Sequence, residues 1–234
     1  EAVARQAAWY AQQARLHGGE AARHAETFGR ISREALRTVP SAQEDAGTLP
    51  FARDIAVVTG ASEKSIAGQV AAQLLAGGAT VIATSYSFDT GFIQWAKEIY
   101  RTHAAGEARL WIVPANLSSY RDVDALAAWV GNEQKETHGA TTTVVKPAYA
   151  PTLLFPFAAP GVHGTLSDSG ELFESQARLM LWGVERLISR LGVLGADTDV
   201  DHRLHVVLPG SPNRGTLGGD GAYGEVKSAF DAIG

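Results

Sequence analysis

Tyr223 and Lys227 stand one helical turn apart in Tyr-Gly-Glu-Val-Lys, and Ser211 precedes them. Residues four apart on a helix share a face, so this spacing would bring a phenol and an ammonium into one cleft. A phenol is a poor acid at its reference pKa of about 10. A cation beside it favours the phenolate, lowers that value and makes Tyr a usable general acid near neutral pH. Ser211 follows the apolar run Leu204–Leu208, which reads as a strand. From a strand end its hydroxyl could hold a carbonyl oxygen while Tyr223 protonates it. Tyr-x-x-x-Lys by itself is a common pattern on solvated helix faces, and it gains weight only from a second pattern far upstream.

That second pattern opens with Ile55-Ala-Val-Val-Thr59, a short buried-strand run. It leads straight into Gly60-Ala-Ser-Glu-Lys-Ser-Ile-Ala-Gly68. A helical stretch, Ser65 to Ala76, ends at Gly77-Gly78, and Thr80–Thr84 reads as another strand. Strand, turn, helix and strand within about thirty residues make a βαβ unit. Such units bind dinucleotides, because the helix N-terminus turns free N–H groups and a positive dipole end toward a pyrophosphate. The glycine fingerprint is incomplete: Lys64 and Ala67 stand where glycines are often found. A plain βα turn is the competing reading of this loop.

The elements that must position these residues follow the same alternation. Phe92–Ala104 reads as helix, Leu110–Pro114 as strand and Val123–Val130 as helix, with Ser119 to Asp122 resembling a capping box. Residues 131–150 are polar and read as irregular. Leu153–Phe157 reads as strand, Leu172–Leu191 as one long helix and Leu204–Leu208 as strand. This order predicts an α/β fold, a Rossmann-like doubly wound parallel sheet covered on both faces. A helical N-terminal arm and linker over residues 1–50 precedes the Rossmann-type domain of residues 51–234. The arm is rich in Ala and Gln, is broken at Gly18-Gly19 and ends in a linker around Pro40.

With 234 residues and 45% hydrophobic composition, the chain can build one sizeable core plus an appendage. A net charge of −5 argues against a nucleic-acid or anionic-membrane surface, and no run approaches the length of a membrane span. The absence of cysteine excludes disulfides and thiol catalysis and fits a reducing, cytoplasmic setting. Asp197-Thr-Asp-Val-Asp201 lacks the Gly and terminal Glu of a calcium loop and reads as solvated. His202 and His205 have no further ligands at metal-site spacing, so no metal site is expected. Gly218-Gly-Asp-Gly221 reads as a loop that places Tyr223, and Trp95, Trp111, Trp129 and Trp182 read as core or interface packing residues.

Five segments together resemble the ketoacyl reductase domain of fungal- and mycobacterial-type type I fatty acid synthases, within the short-chain dehydrogenase/reductase superfamily. They are VTGASEKSIAG, LLAGGATVIAT, LWIVPANLSSYRDVDAL, TLLFPFAAP and HVVLPGSPNRGTLGGDGAYGEVKSAFDA. The resemblance runs from about Asp54 onward and is most specific over Leu208–Lys227. It implies Ser211 as the carbonyl-orienting hydroxyl, Tyr223 as proton donor and Lys227 as the residue that lowers its pKa and holds the ribose. It also implies that Gly60, Ser65 and Ile66 line the pyrophosphate, with Asn116 against the adenine; Ser62 and Lys64 of the same loop are read as further cofactor-binding residues, Lys64 as a point charge within reach of a 2′-phosphate. The implied reaction is NADPH-dependent reduction of a 3-oxoacyl thioester on acyl carrier protein. The implied setting is a homo-oligomeric complex with other synthase domains, without nucleic acid or membrane.

The chain departs from the wider pattern at Lys64, at Tyr86 after the second strand, and at Pro156-Phe-Ala-Ala159 in place of Asn-Asn-Ala-Gly. The last departure is similar to the synthase-type reductases. Two alternatives stay open: an enoyl reductase, whose Tyr and Lys are more widely spaced, and a scaffold segment without activity. By the same resemblance, further strands and a segment over the nicotinamide are expected beyond residue 234, making this sequence a part of a longer fold.

Overall fold

A computed structural model of the chain describes residues 49–161, 170–211 and 223–233, together with Arg23, Glu26 and Arg30. The chain divides into two compact units, Glu1–Thr48 and Leu49–Gly234. In the first unit Arg23, Glu26 and Arg30 are helical and exposed. The rest of residues 1–48 lies outside the described residues, as does the Gly218–Gly221 loop, and the last two residues of the expected linker, Leu49 and Pro50, belong to the second unit.

In the second unit the sequence alternation becomes a parallel sheet. The strands are β1 (Ile55–Thr59), β2 (Thr80–Ser85), β3 (Arg109–Pro114), β6 (Leu153–Pro156) and β7 (His205–Val206). Their spatial order is β3-β2-β1-β6-β7, with every neighbouring pair parallel. Strands added first to one side of β1 and then to the other leave a topological switch point between β1 and β6. In doubly wound sheets ligands bind in the crevice outside the strand carboxyl ends at such a point.

The period-2 alternation of β1 explains the two helical layers. Ala56 and Val58 face helices α1 (Ile66–Ala76) and α2 (Thr90–His103), packing with Ala71, Leu74, Leu75, Trp95 and Ile99. Val57 faces the other way, with Ile82 and Leu154, toward α3 (Tyr120–Gly131) and α5 (Gly183–Gly192). There it meets Val123, Leu126, Leu187 and Leu191. Arg186 clamps these two helices together by donating to both carboxylate oxygens of Asp124, at 2.9 and 2.6 Å.

Local signals set the helix ends. The Ser65 hydroxyl accepts the Gly68 N–H at 2.9 Å and caps α1. The helix ends in a Schellman arrangement, with Ala79 N–H donating to Leu74 O, Gly78 N–H to Leu75 O, and Gly78 at φ +90°. Asp89 caps α2 through the Phe92 N–H at 2.8 Å. Ser119 caps α3 by accepting the Asp122 N–H at 3.3 Å and donates to the Asp122 carboxylate at 3.0 Å.

The structure departs from the sequence expectations in three places. Residues expected to be irregular form an antiparallel hairpin, β4 (Gln134–His138) and β5 (Thr141–Lys146). Nearly every hairpin residue is exposed, so no hydrophobic alternation betrays it. The long helix is interrupted: α4 (Glu171–Ala177) and α5 are joined by a π-helical turn at Arg178–Trp182. Strand β7 is shorter than Leu204–Leu208, because β6 is itself short and ends at Pro156, which has no N–H for a ladder. Trp182 is 41% exposed, whereas Trp95 lies in the core and Trp111 packs edge-on against Trp129. No helix among the described residues is long and apolar enough to cross a membrane.

Candidate active site

The upstream loop sits at the switch point. Gly60 N–H and Ala61 N–H both donate to Thr84 O, at 3.1 and 3.2 Å, which pins the turn over β2. The buried Thr59 hydroxyl accepts the Ala158 N–H at 3.1 Å and ties the same turn to the segment after β6. Gly60 adopts φ +70°, and a β-carbon there would lie 2.6 Å from Ala158 Cα. This position therefore requires glycine twice over, for its backbone angle and for close approach. Gly68 is required similarly, since a β-carbon would meet Ser62 O at 2.2 Å.

Ser65 organises the loop. Its hydroxyl accepts N–H groups from Ser62 and Gly68, each at 2.9 Å, and donates to Ser62 O at 3.0 Å. One donor and two acceptor sites exhaust a hydroxyl. Of the residues expected to line phosphates, Ser65 thus shapes the turn from within, while the Ser62 and Lys64 side chains are exposed. Ile66 is 74% exposed at the first position of α1. The N–H groups of Ile66 and Ala67 have no intrahelical carbonyl to bind, by the geometry of a helix start. These N–H groups, the open turn and the crevice fit the needs of a dinucleotide pyrophosphate.

Asn116 follows β3, as expected, and is exposed. Its side-chain oxygen accepts the Ser118 N–H at 3.0 Å, and its own N–H donates to Asp122 at 3.1 Å. It shapes the entry to α3 and leaves its amide nitrogen for a ligand. Tyr86, after β2, is 86% exposed.

Tyr223 and Lys227 lie on helix α6 (Tyr223–Ile233) and share a face, as their spacing predicts. The Lys227 ammonium is 5.7 Å from the Tyr223 ring centroid and 4.6 Å from that of Phe230. It donates to Pro209 O at 3.1 Å, so α6 is fastened to the chain leaving β7, two residues before Ser211. Lys227 is only 2% exposed, and burial pushes its pKa down from 10.5 to about 8. Tyr223 and Ser211 are both half-buried. Val226, on the buried face of α6, packs with Ala177 and Met180 of α4 and the π-helical turn, and Tyr223 flanks them.

Several contributors escaped the sequence reading. Ala158 and Pro209 act through a backbone N–H and a backbone carbonyl, which carry no residue-type signal, and the Thr59 hydroxyl stands at the end of an otherwise ordinary apolar strand. Phe230, at i+3 from Lys227, was legible in principle from helical spacing. The π-helical turn that seats α6 has no local signature, although Gly183 at its end marks a tight place: a β-carbon there would meet Leu117 O at 2.3 Å. Among the described residues no group of acidic or histidine side chains could hold a metal ion.

No family model matches the chain. It is 33% identical over 180 residues to the fatty acid synthase subunit alpha of Schizosaccharomyces pombe, which covers 76% of the chain and 9% of that protein. It is 32% identical over 200 residues to the corresponding subunit of Penicillium patulum, covering 85% of the chain and 10% of that protein. The chain therefore spans about a tenth of the length of the curated relatives it matches. Among solved structures it is similar to a short chain dehydrogenase from Mycobacterium smegmatis, with TM-score 0.63 and 18% identity over 80% of this chain and 70% of that one. A short-chain type dehydrogenase/reductase from Mycobacterium ulcerans gives TM-score 0.62 and 19% identity, over 79% and 61% of the two chains.

Proposed function

We propose, for a chain that belongs to the type I fatty acid synthase family through a segment with the short-chain dehydrogenase/reductase fold, that it reduces the 3-oxo group of an acyl thioester carried on acyl carrier protein, using NADPH. The family relationship and the fold support an oxidoreductase role in fatty acid synthesis. The observation that carries the finer reading is the buried Lys227, 5.7 Å from the Tyr223 ring centroid and bonded to the carbonyl of Pro209, two residues before Ser211.

In this reading a bound nicotinamide cofactor supplies the hydride. The Ser211 hydroxyl donates to the substrate carbonyl oxygen and fixes its position. As the carbonyl carbon gains a hydrogen, its oxygen becomes an alkoxide and takes the proton of the Tyr223 hydroxyl. The product is a secondary alcohol, with one hydrogen on carbon and one on oxygen. Lys227 keeps positive charge beside the phenol, which favours release of that proton. Its fastening to Pro209 O holds the helix bearing the acid against the segment after β7 that bears the orienting hydroxyl, so the two are positioned before substrate arrives. Gly60 and the α1 N-terminus receive the pyrophosphate. In the same reading the segment works within a larger, homo-oligomeric synthase in the cytoplasm, beside the carrier protein and the other catalytic domains.

Two experiments test this. In the full-length synthase, Tyr223→Phe should lower 3-oxoacyl reduction by about a hundredfold or more while leaving cofactor affinity nearly unchanged. Reduction at near wild-type rate would sink the assignment. The NADPH preference rests on the absence of an acid at the end of β2, at Thr84-Ser85-Tyr86, where NAD-selective folds hold the ribose 2′-hydroxyl. The exposed Lys64 is a candidate for the 2′-phosphate. Competitive binding should favour NADPH over NADH, and Lys64→Ala should narrow the ratio. Equal affinities in the wild type would refute the preference.

A further inference from the structure

The β4–β5 hairpin takes no part in the candidate site, yet it is firmly rooted. Lys146, at the end of β5, is fully buried. Its ammonium donates to Val130 O, Asn132 O and Pro147 O at 3.1, 2.8 and 2.7 Å. It also lies 4.7 Å from the ring centroids of both Trp129 and Tyr149. The root thereby binds the carbonyls at the C-terminal end of α3 and fixes the direction of the arm. Beyond it, Thr141–Val145 are all exposed, with Val144 at 47% and Val145 at 42%.

The two edges of this small sheet differ. Strand β4 carries Lys135, Glu136 and His138, and Lys135 and His138 pair with Glu133 and Glu136 at 2.8 and 3.5 Å. Charges of this kind guard an edge strand against pairing. Strand β5 runs Thr-Thr-Thr-Val-Val, five β-branched residues without charge or proline, the composition that favours strand pairing. A lone two-stranded hairpin is marginal in water, and added strands stabilise it.

We propose that the β5 edge is an interface between two copies of this chain, pairing antiparallel about a two-fold axis through Thr143. The backbone carries the register. His138 and Thr141 close a two-residue turn through Gly139, at φ +64°, so they form a hydrogen-bonded pair. Bonding then alternates along the ladder, and the N–H and C=O groups of Thr142 and Val144 point away from β4. With Thr143 opposite its own copy, Thr142 of one chain exchanges backbone hydrogen bonds with Val144 of the other, and the reverse. Thr141 then faces Val145 across the axis. The pairing is self-complementary, as a two-fold interface must be, and it brings no like charges together. It also yields a continuous sheet in the order β4-β5-β5-β4. This inference is independent of the proposed activity.

Cross-linking in the full-length synthase tests it directly, because this segment contains no cysteine and a disulfide mapped to an introduced residue reports that residue alone. Thr143→Cys places one thiol at the axis, opposite its copy, where cross-strand β-carbons approach to about 4.5–5.5 Å. Glu136→Cys is the matched control, since Glu136 is the partner of Thr143 across the ladder, on the guarded strand. Under mild oxidation Thr143→Cys should form disulfide dimers roughly tenfold or more faster than Glu136→Cys. Adding Val144→Pro removes one outward N–H while sparing the ladder with β4, and should abolish the difference. Equal rates for the two cysteine variants would overturn the proposal. A Thr143→Cys advantage that survives Val144→Pro would overturn it too, by showing collision without strand pairing.

Discussion

Replacing Lys227 by Met tests how the cation of the candidate site is held. The native side chain is 2% exposed, with its ammonium against Pro209 O and the Phe230 ring. Burial lowers its pKa from 10.5 to about 8. Because the folded value lies below the unfolded one, the unfolded chain binds more protons between those two values. The stability contributed by this group is therefore lowest below pH 8, rises through the window and levels off above pH 10.5. Worked from these two values, the gain between pH 7 and pH 10 is about 2–3 kcal/mol. Lys227→Met keeps much of the side-chain length and abolishes the titration. The buried Lys146, whose pKa is also lowered by desolvation, titrates in both proteins and cancels in the difference. Urea unfolding at a series of pH values from 7 to 10 gives both stability curves. The wild type should gain on the variant as pH rises, by the amount stated. A difference that stays constant with pH would refute the reasoning, since it would mean that the ammonium keeps an ordinary pKa.

Two further predictions concern the upstream loop. Gly60→Ala forces a side chain into φ +70° and against backbone atoms of Ala158, at 2.6 and 2.9 Å, so it should cost about 3 kcal/mol in chemical denaturation. A loss under about 1 kcal/mol would show that the turn relaxes freely. Ser65→Ala removes the α1 cap together with both loop bonds of that hydroxyl, and should cost about 1–2 kcal/mol by the same measurement. An unchanged midpoint would mean that water replaces the hydroxyl.

Much of this protein is written in local patterns. The short apolar run Ile55–Thr59, the helical stretch from Ser65 and the glycine pair after Ala76 encode a strand, a helix and a helix end. Each depends on neighbours within a few residues, so each was legible. So was the shared face of Tyr223 and Lys227, because helical spacing alone places them there. The hairpin was not legible, because both its faces meet water and a solvated strand has no hydrophobic alternation to show. Nor was the interruption at Arg178–Trp182, where the seat for Val226 is built by residues distant in sequence.

The chemistry of Lys227 divides in the same way. Sequence determined that an ammonium stands one turn from a phenol. Only the tertiary structure decided that this ammonium is buried, fastened to the carbonyl of Pro209 and titrates near pH 8. Burial and a backbone carbonyl partner depend on which segments pack together. Gly60 shows the same division, since its place in the turn follows from the sequence, whereas its contact with Ala158 exists only because β6 pairs with β1. Spacing along one element is a local property of the chain, but the environment of a side chain is set by elements that meet only after folding.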